Sequence, residues 1–306
     1  MPTDKGTRRE TAKDKIATLF AEHPVVAPSA DQQVVVGSRI DKIGAVSGNH
    51  HIPTAAGADH VVTAAGKDLV IGVARKNLVV SIAGKDQRGP EIADDQIVTV
   101  TCIDRVVAIT GTNLVIANSG DDLVVPYSGD DQVIAITGVD DVVTVAGMDR
   151  VDTATGGDLV DTAASPDHVV TVAGVDQIIP VCCDNPIGAI SGANVVRPSA
   201  SQDRVIAIAG DDAIDRAAGL DAICSPRDRH EVGTFADQNH VVSRSGGDRI
   251  IAVEGHDNVV SRTGVDLVVA AETLDAIIPE LAVNEVTADV TKDQIAVVFV
   301  GIRHGG

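Results

Sequence analysis

A period of nine residues runs through this chain from residue 39 to residue 299 without insertion or deletion. The consensus is Gly-x-Asp-x-Val-(Val/Ile)-(Ala/Thr)-(Val/Ile)-(Ala/Thr/Ser), and positions within a unit are numbered from that Gly. The segments GDDQVIAIT (129–137) and GVDDVVTVA (138–146) are close examples. In the 27 units whose third position runs from Asp41 to Asp275, that position is Asp 20 times, Asn 5 times and His twice. The register is therefore fixed along the whole array, which identifies a repeat protein.

Each unit predicts a β-strand of about six residues closed by a tight turn. Val and Ile are β-branched and favour strands. Gly at the first position suits a turn that needs a positive φ, and Asp or Asn beside it can bond to nearby backbone amides. Backbone bonding is thus the simplest interpretation of the Asp column, and calcium ligation is the alternative.

A second period of 36 residues is superimposed on the first. The fourth position of every fourth unit is polar and can donate hydrogen bonds: His60, Gln96, Gln132, His168, Arg204 and His240. Gly recurs in two classes of turn, one comprising Gly48, Gly84, Gly120, Gly156, Gly192 and Gly264 and the other Gly66, Gly138, Gly174, Gly210 and Gly246. Asp228 interrupts the first class and Cys102 the second. The spacing predicts a repeat of four strands.

The four strands of each 36-residue unit differ in their apolar pattern. The second and third are apolar on both faces, as in Val169-Val170-Thr171-Val172, whereas the first and fourth relax to residues such as Asp161 or Arg197 on one face. Two central strands and two edges, covered by neighbouring sheets, are typical of a propeller blade. The predicted fold is an all-β β-propeller of seven four-stranded 36-residue blades, or of eight if the residues before them form another.

The predicted domain organisation follows from that fold. Residues 1–22 form an N-terminal helical cap, with an amphipathic helix over 8–22, and 23–299 form a single repeat β domain. Residues 23–47 close the ring, and 300–306 are a mobile tail. The seven blades are 48–83, 84–119, 120–155, 156–191, 192–227, 228–263 and 264–299.

Two family resemblances accompany these residues. The segments ASPDHVVTVAGVDQIIPV (164–181) and SGDDQVIAITGVDDVV (128–143) resemble the strand-turn-strand part of WD40 and TolB-type propeller repeats, without the Trp-Asp signature, and this implies architecture only. The nonapeptide also resembles a degenerate RTX repeat, G-G-x-G-x-D-x-U-x. That second resemblance implies a parallel β-solenoid of nonapeptide units with Ca²⁺ in its turns. The 36-residue modulation and the Val and Ile that a solenoid would expose argue against it.

Composition restricts the partners. The formal net charge is −20, so nucleic acid is excluded, while cations, small ligands or basic protein partners are compatible. No apolar run is long enough to span a bilayer, and the first residues lack the apolar stretch of a signal peptide. A cytoplasmic location without membrane association is expected, with leaderless export as the alternative. The four cysteines (Cys102, Cys182, Cys183 and Cys224) match neither a disulfide framework nor a zinc pattern.

Candidate sites follow from the predicted ring of blades. No catalytic signature occurs, so no catalytic residue is assigned and the chain is expected not to be an enzyme. The turn entering each innermost strand would form a ligand-binding ring at the mouth of the axial channel, open to Ca²⁺: His50, Asp86, Asp122, Asp158, Asn194, His230 and Asp266. The polar fourth-position residues would form a recognition ring at the other end: His60, Gln96, Gln132, His168, Arg204 and His240. His50, His51 and His60 lie close in sequence, but their spacing fits no standard zinc site.

The predicted function is a non-enzymatic binding or scaffold module that presents a repeat β surface to a protein or small ligand, without a cofactor. The alternatives are a calcium-stabilised structural β-solenoid and an enzyme with its site at the axial channel.

Overall fold

The chain folds as a parallel β-solenoid, in which successive strands alternate between two facing sheets. The computed structural model describes residues 15–18, 25–27, 31–36, 42–53, 60–71, 77–92, 95–181, 183–197, 203–215, 222–225, 229–234, 238–252, 257–264, 267–270, 276–279, 285–287 and 294–295. These residues contain 32 strands, divided equally between two 16-stranded sheets. No helix able to cross a bilayer occurs in these ranges.

Sheet A contains the odd-numbered strands. They are β1 (Lys15–Thr18), β3 (Gln32–Val36), β5 (His50–Pro53), β7 (Leu69–Ile71), β9 (Gln87–Ile92), β11 (Arg105–Thr110), β13 (Leu123–Pro126), β15 (Asp141–Thr144), β17 (Leu159–Thr162), β19 (Gln177–Pro180), β21 (Val195–Val196), β23 (Ala213–Asp215), β25 (Glu231–Thr234), β27 (Arg249–Ala252), β29 (Leu267–Ala270) and β31 (Glu285–Thr287).

Sheet B contains the even-numbered strands. They are β2 (Val25–Ala27), β4 (Lys42–Gly48), β6 (His60–Gly66), β8 (Leu78–Gly84), β10 (Gln96–Cys102), β12 (Leu114–Ser119), β14 (Gln132–Gly138), β16 (Arg150–Gly156), β18 (His168–Gly174), β20 (Pro186–Gly192), β22 (Arg204–Gly210), β24 (Ala222–Ser225), β26 (His240–Gly246), β28 (Asn258–Gly264), β30 (Ala276–Pro279) and β32 (Gln294–Ile295).

Every pairing is parallel and joins a strand to the next but one in the chain. In register this is a shift of 18 residues, as in Val133↔Val151 and Val151↔Val169. One coil is therefore two nonapeptides, and each nonapeptide supplies one strand and one corner. Two parallel neighbouring strands must be joined by a crossover connection. Here the intervening strand in the opposite sheet serves as that connection.

The core is built from the Val and Ile at the fifth position of the units, and it forms two clusters, one ending at Val79 and the other beginning at Ile97. The fifth position of the unit between them is Arg88. Val133, Val142, Val151 and Val160, which come alternately from sheets B and A, are each 0 % exposed. Alternate residues of a strand point to opposite faces, so positions three, five and seven face inward, and four, six and eight face outward. Exposure follows this rule: β14 alternates between buried and half-buried residues, and Ile136 at its eighth position is 37 % exposed.

The propeller prediction is wrong, and with it the WD40-like resemblance and the seven 36-residue blades. A blade pairs consecutive strands antiparallel, whereas this chain pairs alternate strands in parallel. The outward Val and Ile were expected to require a covering sheet, but their neighbours 18 residues away in the same sheet cover them in part. The alternative fold, a parallel β-solenoid of nonapeptide units, is confirmed, and the Ca²⁺ that the RTX resemblance implies stays a prediction.

In the structure, these Gly residues recur once per coil, every 18 residues. The two predicted glycine classes interleave at a single corner, which follows each sheet B strand, and this is named the glycine corner. There the backbones of successive coils stack closely, as in Gly138↔Gly156 and Gly156↔Gly174. A Cβ built on Gly174 would lie 2.2 Å from the carbonyl oxygen of Gly156, so a side chain has no room.

The predicted ends of the chain are only partly described. Residues 15–18 form β1 in sheet A, so the helix predicted over 8–22 is wrong for those four residues. The remainder of that segment and the tail 300–306 lie outside the described residues, as does Asp266.

Candidate functional site: two ladders of buried carboxylates

The third-position residues form two continuous ladders along the solenoid, one at each corner. Ladder A precedes the sheet A strands and comprises His50, Asp68, Asp86, Asp104, Asp122, Asp140, Asp158, Asp176, Asn194, Asp212, His230 and Asp248. Ladder B precedes the sheet B strands and comprises Asn77, Asp95, Asn113, Asp131, Asp149, Asp167, Asn185, Asp203, Asn239 and Asp257. Every one of these side chains is buried.

One hydrogen bond repeats along both ladders. The backbone N–H of a rung donates to Oδ1 of the Asp or Asn rung one coil later, as from Asp122 to Asp140 at 2.8 Å and from Asp131 to Asp149 at 2.8 Å. The corner residue's N–H points along the solenoid axis, where an Asp or Asn oxygen from the next coil reaches it. Because a buried N–H must find an acceptor, the third position favours short side chains that carry such an oxygen.

The seventh position supplies a second bond to some rungs. Thr99 donates its hydroxyl to Oδ2 of Asp122 at 2.8 Å, and Thr144 donates to Oδ2 of Asp167 at 2.7 Å. Each donor lies 23 residues before its acceptor, which is one coil plus five residues. The sequence reasoning missed this role, although the 23-residue spacing between Thr and Asp is readable once the 18-residue coil is known.

Two rungs, one in each ladder, have the most strongly raised pKa among the described residues. Burial raises the pKa of Asp140 and of Asp149 to about 7, against a donated backbone N–H that lowers it. Neighbouring rungs add like charge, Asp122 and Asp158 on Asp140, and Asp167 and Asp131 on Asp149. The residues 5 and 23 before Asp140 are Ala135 and Ala117, which have no hydroxyl to donate. These carboxyls therefore retain a proton close to neutral pH.

The same direction of shift holds at other rungs. Burial raises the pKa values of Asp68, Asp131, Asp158, Asp167 and Asp176. Among them, Oδ2 of Asp131 is buried and accepts no hydrogen bond, and the same is true of Oδ2 of Asp149. Both belong to ladder B, separated by one coil, so two adjacent rungs each retain an unused oxygen.

Two histidines replace Asp in ladder A. The ring of His50 is fully buried, and its Nδ1 lies 3.0 Å from Oδ1 of Asp68. Nδ1 of His230 lies 3.4 Å from Oδ2 of Asp212, also fully buried. Each imidazole thus faces a carboxylate of an adjacent coil and extends the ladder in place of a carboxyl.

The predicted channel-mouth ring is not a ring in the structure. A solenoid has no axial channel, and the six described members occupy every second rung of ladder A, about 10 Å apart. They are at most 3 % exposed, so no rim of them meets solvent. Their assignment as ligand-binding residues stays a prediction. The members are His50, Asp86, Asp122, Asp158, Asn194 and His230.

The predicted recognition ring is instead a straight row on sheet B. Its residues begin alternate strands and point outward, with Gln132 half-buried and the others exposed: His60 (β6), Gln96 (β10), Gln132 (β14), His168 (β18), Arg204 (β22) and His240 (β26). The intervening strands begin with a mixture of residues, apolar at Leu78 and Leu114 but charged at Lys42 and Arg150. The 36-residue period of this row, two coils long, therefore holds for the six predicted residues and is blurred by the strands between them.

Part of this row lines a surface groove at the ladder B corner. The groove has a volume of about 570 Å³, and its walls include His60, Gln96 and Gln132 together with Leu78 and Leu114. It brings three of the predicted recognition residues to one place. Whether they bind a ligand stays a prediction.

The described residues contain no group of three His, Cys, Asp or Glu side chains placed to hold a metal ion. His50 is buried and His51 is half-exposed on the next position of the strand, so their rings face opposite sides of sheet A.

No protein-family model matches this chain, and no match is found among curated proteins or among solved structures. The class of protein is therefore defined by the fold: an all-β repeat protein of the parallel β-solenoid type, with internal ladders of Asp, Asn and His.

Proposed function

We propose that this chain is a non-enzymatic structural scaffold, a stiff rod that holds its outer sheet faces in a fixed register for binding. The supporting observation is the ladder bond, which links each coil to the next at both corners with N···O distances of 2.6 to 3.1 Å. Sixteen strands per sheet at the usual spacing give a rod about 70 Å long. Regular stacking of this kind serves display of a surface better than it serves an enclosed reaction site.

Solution scattering combined with hydrogen exchange tests this proposal. A scaffold of this kind gives a rod-shaped particle, and the ladder amides of Asp122, Asp131 and Asp140 exchange slowly because opening one coil breaks bonds to its neighbour. A compact disc, or ladder amides that exchange as fast as exposed corners, would contradict it.

Calcium stabilisation is the second candidate, favoured by the unused Oδ2 atoms of Asp131 and Asp149. Ca²⁺ prefers six to eight oxygen ligands. The ladder carboxyls supply only a fraction of these, because Oδ1 of each already accepts a backbone N–H. A bound ion would therefore need backbone carbonyl oxygens of the corner as further ligands. It would supply positive charge to carboxyls that otherwise retain protons.

Thermal melting separates the two candidates. In the calcium candidate, millimolar Ca²⁺ raises the melting temperature by several degrees over the same protein in chelator, and Mg²⁺ does not. The double variant Asp131→Asn, Asp149→Asn removes both carboxyls and abolishes that rise. The matched control Asp121→Asn alters an exposed carboxyl near ladder A and leaves the rise intact. Identical melting with Ca²⁺ and with chelator rejects the calcium candidate and leaves the scaffold proposal standing.

A further inference from the structure

The outer face of sheet B carries a long apolar surface between β4 and β22. Its eighth-position row is apolar except for one Asn: Val46, Ala64, Ile82, Val100, Asn118, Ile136, Ala154, Val172, Ile190 and Ile208. Its sixth-position row is apolar except for one Asp: Gly44, Val62, Val80, Val98, Ile116, Ile134, Asp152, Val170, Gly188 and Ile206. Val46 is 51 % exposed, Ile82 44 % and Val172 41 %. The two rows together are named the sheet B face.

The size of the sheet B face is that of a protein interface. Ten strands spaced by about 4.8 Å, and two rows that each cover about two residues of about 3.3 Å along the strand, give roughly 600 Å² of flat area. A specific interface needs about 500 Å² or more on each partner. Monomeric proteins rarely leave a contiguous apolar patch of this size in water.

The charge pattern leaves the sheet B face as the place where a second copy can approach. The net charge of −20 repels like chains over most of the surface. The two rows of the sheet B face contain a single charged residue, Asp152, and Arg150 neutralises it through an N–O distance of 2.9 Å. A basic partner would gain nothing at such a neutral face, whereas another copy offers the same neutral, apolar surface.

Sheet A is less suited to this contact. Its described strands between β13 and β29 are two to four residues long, against seven in the regular strands of sheet B. Its sixth-position row includes the charged residues Asp161, Arg197 and Asp215. The apolar area there is both narrower and more often interrupted.

We propose that two copies of this chain associate face to face through their sheet B faces. A two-fold axis brings the same rows of both copies together, and the regular strand spacing lets Val and Ile ridges of one copy fit between those of the other. This inference goes beyond the scaffold role, which does not require a dimer.

Mass measurement in solution tests the dimer. Sedimentation velocity and light scattering on the full chain, over a dilution series in the micromolar range, should give twice the chain mass of 31.4 kDa. The variant Ile136→Lys, Val172→Lys puts two charges into the centre of the sheet B face and should give the single-chain mass at every concentration. The matched control Tyr127→Lys, Val181→Lys adds the same charges at eighth positions of sheet A units, where the wild-type residues are 47 % and 50 % exposed, and should remain dimeric.

Circular dichroism and melting establish that both variants keep the fold, since all four substitutions are at exposed positions. A wild-type protein that is monomeric throughout the series overturns the proposal. A sheet B variant that still dimerises overturns it too, as does a control variant that becomes monomeric while the sheet B variant does not. None of these results bears on the rod shape or the ladder exchange that test the scaffold role.

Discussion

The two corners of the solenoid share one residue rule and differ in another. At the glycine corner, which follows sheet B, described first positions such as Gly138, Gly156 and Gly174 stack backbone on backbone. At the opposite corner, which follows sheet A, the first position is Gly at some coils but Ser165 or Cys183 at others. The backbones also stack closely at the opposite corner, where a Cβ on Gly147 would lie 1.6 Å from the carbonyl oxygen of Gly129. The described third positions are Asp or Asn at both corners, apart from His50 and His230. The corners thus differ in how regularly the first position is glycine, and agree in the bond that their inward N–H requires.

Strand length also differs between the sheets. Regular sheet B strands run seven residues and end on the stacked glycine, as in β14 and β18. The sheet A strands β13 and β15 have four residues, and they end at Pro126 and at Thr144, so proline does not set this length. The N–H of Tyr127, directly after Pro126, still donates to the carbonyl oxygen of Ala108 at 2.8 Å. The two sheets are therefore of unequal width, although backbone bonds between coils continue beyond the sheet A strands.

Glycine-to-alanine substitution gives the largest expected effect. It tests whether the close approach of neighbouring backbones requires glycine at the glycine corner. Gly174→Ala places a Cβ 2.2 Å from the carbonyl oxygen of Gly156 and 2.9 Å from Oδ1 of Asp176, so the coil must shift. We expect a loss of about 3 kcal/mol or more in the free energy of unfolding, because overpacking against backbone cannot be relieved by a rotamer change.

Gly188→Ala is the matched control in the neighbouring strand β20. Its nearest neighbour would be a Val170 methyl at 4.0 Å, an ordinary contact. We expect it to be neutral or slightly stabilising, since Ala costs less backbone entropy than Gly. Denaturant unfolding of both variants is the measurement. Equal losses from the two would show that backbone approach does not dictate glycine at this corner.

Removal of one rung tests the hydrogen bond that both corners share, from a third-position N–H to the side-chain oxygen one coil later. Asp149→Ala in ladder B deprives the N–H of Asp131 of its acceptor, and Asp158→Ala in ladder A does the same to Asp140. Each should cost about 1 to 3 kcal/mol, the usual cost of a buried donor left unpaired. The comparison is best made near pH 5, below the pKa of about 7 of Asp149. A large loss at only one corner would show that the two ladders are not equivalent.

Asp149→Asn keeps the acceptor and removes the charge, so it isolates the effect of pH. The pKa of Asp149 is raised from 3.8 to about 7, so the folded chain binds a proton that the unfolded chain releases between these values. The contribution of this protonated carboxyl to the free energy of unfolding is therefore fully present below pH 4 and is lost as the pH rises through 7. The Asn variant does not titrate at this position, so its free energy of unfolding does not fall for this reason.

The expected result is equal stability of wild type and Asp149→Asn near pH 4, with an advantage for the variant that grows to about 1 kcal/mol or more by pH 8. Melting at several pH values measures it. Asp121→Asn, an exposed carboxyl, is the control and should show no such growth. An advantage that is constant across pH would mean that folding does not raise the pKa of Asp149.

A seventh-position hydroxyl gives the smallest effect. Thr144→Val removes the hydroxyl that donates to Oδ2 of Asp167 and should cost about 1 kcal/mol. Thr162, at the same position of β17, is equally buried but its hydroxyl has no hydrogen-bond partner. Thr162→Val should therefore be neutral or stabilising. Thermal melting of each single variant beside wild type measures the difference. If Thr162→Val destabilises the chain more than Thr144→Val does, the bond from Thr144 to Asp167 does not stabilise the ladder.

Some of the site was predictable and some was not. Backbone bonding by the Asp column was expected from local turn chemistry, and the structure does show bonding to backbone amides. The partner is different, because the N–H that Asp149 accepts belongs to Asp131, 18 residues earlier, and not to its own turn. The predicted ring of His50 and Asp86 failed for the same reason, since the order in which coils stack decides which third positions are neighbours.

The sequence by itself determined the nine-residue unit: a strand of β-branched residues, a corner with Gly, and an Asp whose short side chain serves a backbone amide. Those features are local, and both a hairpin and a solenoid corner need them. Only the tertiary structure decided that each strand pairs with the next but one. Strand pairing is non-local, and a Val such as Val172 looks the same in sequence whether another sheet covers it or its own neighbours half-cover it beside water.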